Sequence, residues 1–171
     1  MHAFIVGPPG VGKSTLIRRV LDELGLPVWG FETKKGSPSA DGRGSPVYIH
    51  ILGEEPLQTE ENLLGYCERK CLEVRKDTFD RYALRLRAPV PQGHVVVLDE
   101  LGTMESVSED FCAAVLALLD GDAPVIAAVK PKEPPFLTAV RSHPKGKCFF
   151  IDEENRESLM EDVLAFLQNQ L

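Results

Sequence analysis

At 171 residues the chain has the length of one ordinary domain, and 43% hydrophobic with 26% charged residues is a globular composition that excludes wholesale disorder. A net charge of −7 argues against a dedicated nucleic-acid binder, which needs a basic face, but leaves room for a small basic pocket holding one polyphosphate. No stretch approaches the roughly 18 apolar residues of a membrane span. Met1-His2-Ala3-Phe4 enters a strand directly, without a basic leader, so a cytoplasmic protein is expected.

The elements alternate between strand and helix, the pattern of a mostly parallel sheet covered on both faces. Ala3 to Val6 is a short apolar run that ends at a glycine-rich turn. Leu16, Ile17, Val20, Leu21 and Leu24 recur at helical spacing until Gly25 and Pro27 stop them. Val28 to Thr33 reads as the second strand, Lys34 to Ser45 as a loop, and Val47 to Leu52 as the third strand.

Residues 53–76 are the least legible: Cys71 to Val74 suits a short strand, while Leu63, Leu64 and Cys67 suit a helix equally well. Asp77 is a plausible N-cap for a helix with Phe79, Tyr82, Ala83 and Leu86 on one face, ended by Pro89 and Pro91. Arg81, Arg85 and Arg87 read as its solvated side.

Val95 to Leu98 is a continuous apolar run, as expected of a strand buried on both faces. A helix with Val107, Phe111, Val115 and Leu118 inward follows, then a central strand from Val125 to Val129. The proline-rich segment from Lys130 to Pro135 leads to a short helix near Leu137 to Ser142. Cys148 to Ile151 is the last strand, and Leu159, Met160, Val163, Leu164 and Leu167 mark the last helix. With no repeat and no linker, residues 1–171 are expected to form one domain.

Four cysteines do not make a disulfide framework in a chain of this length. Cys67 and Cys71 lack a second pair at zinc-ligand spacing and read as free thiols; Cys112 and Cys148 read as small core residues.

The chemistry concentrates in two segments. Gly7-Pro8-Pro9-Gly10-Val11-Gly12-Lys13-Ser14 fits G-x-x-x-x-G-K-[ST], after a strand and before a helix. Glycines let backbone N–H groups point at phosphate oxygens, and the helix start adds partial positive charge. Lys13, expected on a surface loop, is placed to bridge the β- and γ-phosphates, Ser14 to ligate Mg²⁺ and Thr15 to reach the α-phosphate. The second segment is the acid pair Asp99-Glu100, which ends an apolar strand where open α/β sheets bind ligands. Asp99 suits the metal and Glu100 an attacking water.

Gly7 to Ser14, Gly30-Phe31-Glu32-Thr33, Asp99-Glu100-Leu101-Gly102-Thr103-Met104-Glu105 and Glu154-Asn155-Arg156 occur here in an order that resembles the small P-loop nucleoside-triphosphatases of the cancer-related NTPase type. The resemblance spans nearly the whole chain. It implies a RecA-like P-loop fold, three-layered α/β/α, and Mg²⁺-dependent hydrolysis of NTPs to NDPs with broad base preference. It implies roles for Lys13 and Ser14 at phosphate and metal, for Asp99 at metal and for Glu100 at the attacking water. The chain departs from the family at Thr103, where members usually carry lysine, and in the Ser/Pro/Gly loop that replaces a basic stretch after the second strand.

Arg156 can stabilise the transferring phosphoryl group or stack on the base, or else pair on the surface with Glu153 or Glu157. Lys130 and Lys132 are further cations beyond a strand end. The expected protein is a monomeric NTPase acting on a nucleoside triphosphate, without membrane or nucleic-acid partners. A nucleotide or small-molecule kinase on the same core is one alternative, opposed by a lid region, 130–147, that holds only Arg141. A slow nucleotide-dependent switch is the other.

Overall fold

The computed structural model describes residues 1–171. The chain runs β1 (His2–Val6), α1 (Lys13–Leu24), β2 (Val28–Lys35), β3 (Ser45–Ile51), β4 (Leu63–Cys67), β5 (Cys71–Leu72), α2 (Lys76–Leu86) and β6 (Val95–Leu101). A short 3-10 turn (Met104–Val107), α3 (Glu109–Asp120), β7 (Val125–Val129), α4 (Pro135–Arg141), β8 (Gly146–Phe150) and α5 (Arg156–Gln168) complete it. All eight strands join one sheet in the order β5-β4-β3-β2-β6-β7-β1-β8. β2, β6, β7, β1 and β8 run parallel, and β3, β4 and β5 extend the sheet antiparallel from β2.

Side chains alternate across the parallel strands, so two cores form. Ala3 and Ile5 of β1 join Leu16, Ile17 and Val20 of α1 and Leu159, Val163 and Leu167 of α5 on one face. Phe4 and Val6 join Phe79 and Ala83 of α2, Phe111 and Val115 of α3, and Leu137 and Val140 of α4 on the other. This is the expected α/β/α sandwich. Neighbouring β1 are β7 on one side and β8 on the other, while the chain leaves β1 for β2 across two intervening strands. The carboxyl end of β1 therefore opens at a topological switch point, where such sheets bind ligands.

Four local expectations need correction. Leu63 to Cys67 is not helical but a strand buried along its whole length, so no alternation marked it. Its return strand sets Cys67 directly opposite Cys71, and the two form a disulfide rather than free thiols. The second helix starts at Lys76 with Arg75 at its cap, which leaves Asp77 in the first turn. Val107 belongs to the 3-10 turn and is exposed, because Ser108 caps α3 by accepting from the Phe111 N–H; the inner face is Phe111, Ala114, Val115 and Leu119. Arg81 and Arg85 also do more than face solvent: Arg81 donates to the Glu61 carbonyl and Arg85 pairs with Glu54, clasping the segment before β4.

Candidate active site

Residues 7–12 join β1 to α1 as a loop whose glycines 10 and 12 take φ of 75° and 110°. These are left-handed conformations that a side chain would strain, and they turn the backbone into the start of α1. Lys13 is the first residue of that helix and is 5% exposed, which corrects its expected place on a surface loop. Its Nζ donates to the carbonyls of Gly7 (2.6 Å) and Pro8 (3.0 Å) and lies 3.4 Å from Glu100 Oε2. An ammonium held this way is desolvated in advance and surrounded by acceptors. Ser14, one residue further along, donates its hydroxyl to Asp99 Oδ1 at 3.0 Å.

β6 delivers the two acids. Asp99 is in register with Glu32 of β2, and the ladder with β7 shifts register between Asp99 and Leu101. The Asp99–Glu100 peptide bond is cis. Glu100 N–H donates to Thr33 Oγ1 at 3.4 Å. Burial pushes the Asp99 carboxyl above the usual carboxylate range, Glu100 and Glu32 add to the rise, and the Ser14 hydroxyl pulls against it. Lys130, just beyond β7, brings a second ammonium to within 3.7 Å of Glu100 Oε1. Beside Glu100 lies a cavity of about 110 Å³ whose walls include Thr33, Thr103, Glu105 and Lys130; Pro8 to Val11 face another of about 190 Å³ with Asp152 and Glu153 opposite.

The model of a family described as NTPase matches residues 2–164. The chain belongs to this NTPase family. It is 32% identical to nucleoside-triphosphatase THEP1 of Methanocaldococcus jannaschii, over 96% of this chain and 95% of that one. With the human cancer-related nucleoside-triphosphatase it shares 30% identity, over 98% and 97% of the two chains. The solution structure of a human cancer-related nucleoside triphosphatase superposes with a TM-score of 0.66 at 29% identity, covering 98% and 97% of the two chains. The crystal structure of THEP1 from Aquifex aeolicus gives the same TM-score of 0.66 at 23% identity, over 98% and 99%, and so supports the fold.

Within this NTPase family member the structure gathers Lys13, Ser14, Asp99 and Glu100 at one mouth and leaves Thr15 exposed on α1. Arg156 begins α5, and its Cδ lies 3.8 Å from where a Cβ on Gly12 would stand. It does not pair with Glu157, which holds Arg19 through two bonds of 2.7 and 2.9 Å. Lys132 is not brought to the site: its carbonyl accepts from Arg141 of α4 at 2.7 Å, and its side chain forms no ion pair. The oxygens of Ser14 and Asp99 suit a hard divalent cation, and no group of three or more His, Cys, Asp or Glu side chains forms a metal cage anywhere in the chain.

Glu105 is the residue that sequence reasoning quoted without a role. It is 4% exposed, its Oε2 accepts from the Gly102 N–H at 2.8 Å, and burial raises its carboxyl to about 7. No spacing rule marks it, because its burial comes from the 3-10 turn folding beneath β6.

Proposed function

We propose that the chain hydrolyses nucleoside triphosphates to diphosphate and inorganic phosphate, across bases and with Mg²⁺. The observation that carries this reading is the convergence of Lys13, Glu100, Ser14 and Asp99, with Lys13 Nζ 3.4 Å from Glu100 and Ser14 Oγ 3.0 Å from Asp99. Gly7, Gly10, Gly12 and the N–H groups of the loop cradle the phosphates, with Pro8, Pro9 and Val11 shaping its walls and Thr15 within reach of the α-phosphate. Lys13 turns from the loop carbonyls to the β- and γ-oxygens. Ser14 and Asp99 hold Mg²⁺, which when bound neutralises charge on those same oxygens. Glu100 orients a water for in-line attack on the γ-phosphorus and takes its proton as the bond to the β-γ bridging oxygen breaks. Arg156, beside Gly12, supplies a guanidinium for the phosphates or the face of the base.

Two features favour hydrolysis with little base selection. The cavity beside Glu100, about 110 Å³, has room for waters and is smaller than the roughly 300 Å³ at which ligand pockets begin, which favours water over a larger phosphoryl acceptor. In the loop facing residues 8–11, Asp152 Oδ1 accepts from the N–H groups of Glu154 and Asn155, while Asn155 bonds the backbone of Asp152 and Phe150. Those side chains are committed to the loop itself, and Arg156 can stack on any base.

The test is phosphate release from ATP, GTP, CTP and UTP without an acceptor, with Mg²⁺ and then with chelator. All four are expected to turn over, and chelator is expected to stop them. Release from a single NTP would remove the broad specificity, and release from none would remove the hydrolase reading.

A further inference from the structure

Glu100 is bracketed by two lysines, one on each carboxylate oxygen: Lys13 lies 3.4 Å from Oε2 and Lys130 lies 3.7 Å from Oε1. They are held very differently. Lys13 belongs to the phosphate loop and must leave Glu100 when a triphosphate claims its charge. Lys130 belongs to the end of β7 and is anchored there on both sides. Its N–H donates to the Leu101 carbonyl at 3.0 Å, and its own carbonyl accepts from Arg141 Nη1 at 2.8 Å.

The stem of Lys130 crosses Gly102 so closely that a Cβ there would stand 3.2 Å from Cδ and 3.4 Å from Cε. Gly102 is in turn fixed from below, because the buried Glu105 accepts its N–H at 2.8 Å. The path from Glu105 through Gly102 to Lys130 and Glu100 is thus a braced support that does not involve the phosphate loop.

We infer that Lys130 is a positioning residue for the reaction, holding the Glu100 carboxylate toward the attacking water while Lys13 is engaged with the phosphates. Glu105 and Gly102 form the seat on which its side chain rests. The inference depends on the reading of Glu100 as the group that orients water. It assigns to Lys130 a part in the chemical step and none in nucleotide affinity.

The test combines Lys130→Met, which keeps a stem and removes the charge, with Lys130→Arg, Glu100→Gln and the Lys130→Met/Glu100→Gln double variant. Phosphate release gives kcat and KM, nucleotide titration gives Kd, and thermal melting shows that each variant is folded. Lys130→Met is expected to lower kcat about 10- to 100-fold, the scale of a misplaced catalytic group, with KM and Kd within about twofold. Lys130→Arg should recover most of the rate. On the Glu100→Gln background, Lys130→Met should cost nothing further in single-turnover assays, since there is no carboxylate left to position.

A Lys130→Met enzyme with unchanged kcat, beside a Glu100→Gln enzyme that has lost turnover, overturns this inference and leaves the Glu100 reading standing. So does an equal loss on both backgrounds, which would place Lys130 on the phosphate itself. Wild-type turnover by Glu100→Gln overturns the Glu100 reading, and the inference falls with it. Should Lys130→Met not fold, Lys130→Gln is subject to the same outcomes.

Discussion

The larger hollow of the molecule, about 780 Å³, opens at the amino ends of β2, β6 and β7, walled by residues such as Leu24, Leu26, Val90, Pro91 and Pro124. The hollows at the carboxyl ends are much smaller, about 110 and 190 Å³. Yet the ammonium of Lys13, the Ser14 hydroxyl and the paired acids of β6 all lie at the carboxyl ends. Size follows from where short loops fail to fill the space between helix ends. Chemistry follows from strand direction, because a parallel strand presents the residues of its outgoing loop at one end only, where helices also begin. The two ends therefore differ in what a substitution should do to each.

The largest effect is expected from Lys13→Ala. It removes the charge proposed to serve the phosphates and leaves the carbonyls of Gly7 and Pro8 without their donor. NTP turnover should fall to background. At the amino end, Val90→Ser, at a partly buried position packed on the core and lining the larger hollow, should lower stability but leave kcat of the folded enzyme within about twofold. Phosphate release with far-UV circular dichroism on both variants makes the comparison. A Lys13→Ala enzyme near wild-type rate, or a folded but inactive Val90→Ser, would reverse the assignment of the ends.

Within the carboxyl end, the two acids of β6 should separate. Glu100→Gln keeps reach and shape but not basicity, and kcat should drop by roughly 10²–10⁴ while nucleotide affinity holds or improves. Asp99→Asn should weaken Mg²⁺-dependent nucleotide binding as well as turnover, because Asp99, bonded to Ser14, is proposed to hold the metal with it. Titrated Kd and kcat for both variants decide it, and indistinguishable profiles would break the division of labour.

The carboxyl end was also the more legible of the two ends in sequence. Fixed glycine spacing before Lys13 and an apolar strand ending at Asp99 are both local signals, so a local reading sufficed. In the antiparallel extension β3 was legible and β4 was not: β4 is buried on both faces and has no period-two pattern to distinguish it from a buried helix. The Cys67–Cys71 pairing was lost with it, since the hairpin that sets these residues opposite one another had not been recognised. Glu105 and the reach of Lys130 to Glu100 are products of tertiary packing between β6, β7 and the turn after β6. An acid shortly after a strand end ordinarily reads as solvated.

The smallest expected effect contrasts the ends through two buried titratable groups. At the carboxyl end, burial raises the Glu105 carboxyl from 4.5 to about 7 despite the Gly102 N–H and Lys130. At the amino end, burial lowers the His2 imidazole below its ordinary 6.5, helped by the N-terminal ammonium, His143 and Lys145 and opposed by its bond to the Leu119 carbonyl. The neutral ring donates from Nε2 to that carbonyl at 2.7 Å and accepts the Val125 N–H at Nδ1, 3.2 Å away. The two linkages have opposite signs. The contribution of protonated Glu105 is complete below pH 4.5 and is lost as pH rises through about 7, a swing on the order of 3 kcal/mol for a shift of this size. The contribution of neutral His2 is complete above pH 6.5 and is lost as pH falls below it. Glu105→Gln, which can still accept from Gly102 but cannot ionise, should therefore gain stability relative to the parent protein between pH 5 and 8. His2→Gln should lose relative stability over the same interval. Denaturant midpoints across that range would show two lines of opposite slope. Parallel lines would mean that the two ends do not hold their buried groups, both uncharged, in opposite protonation states.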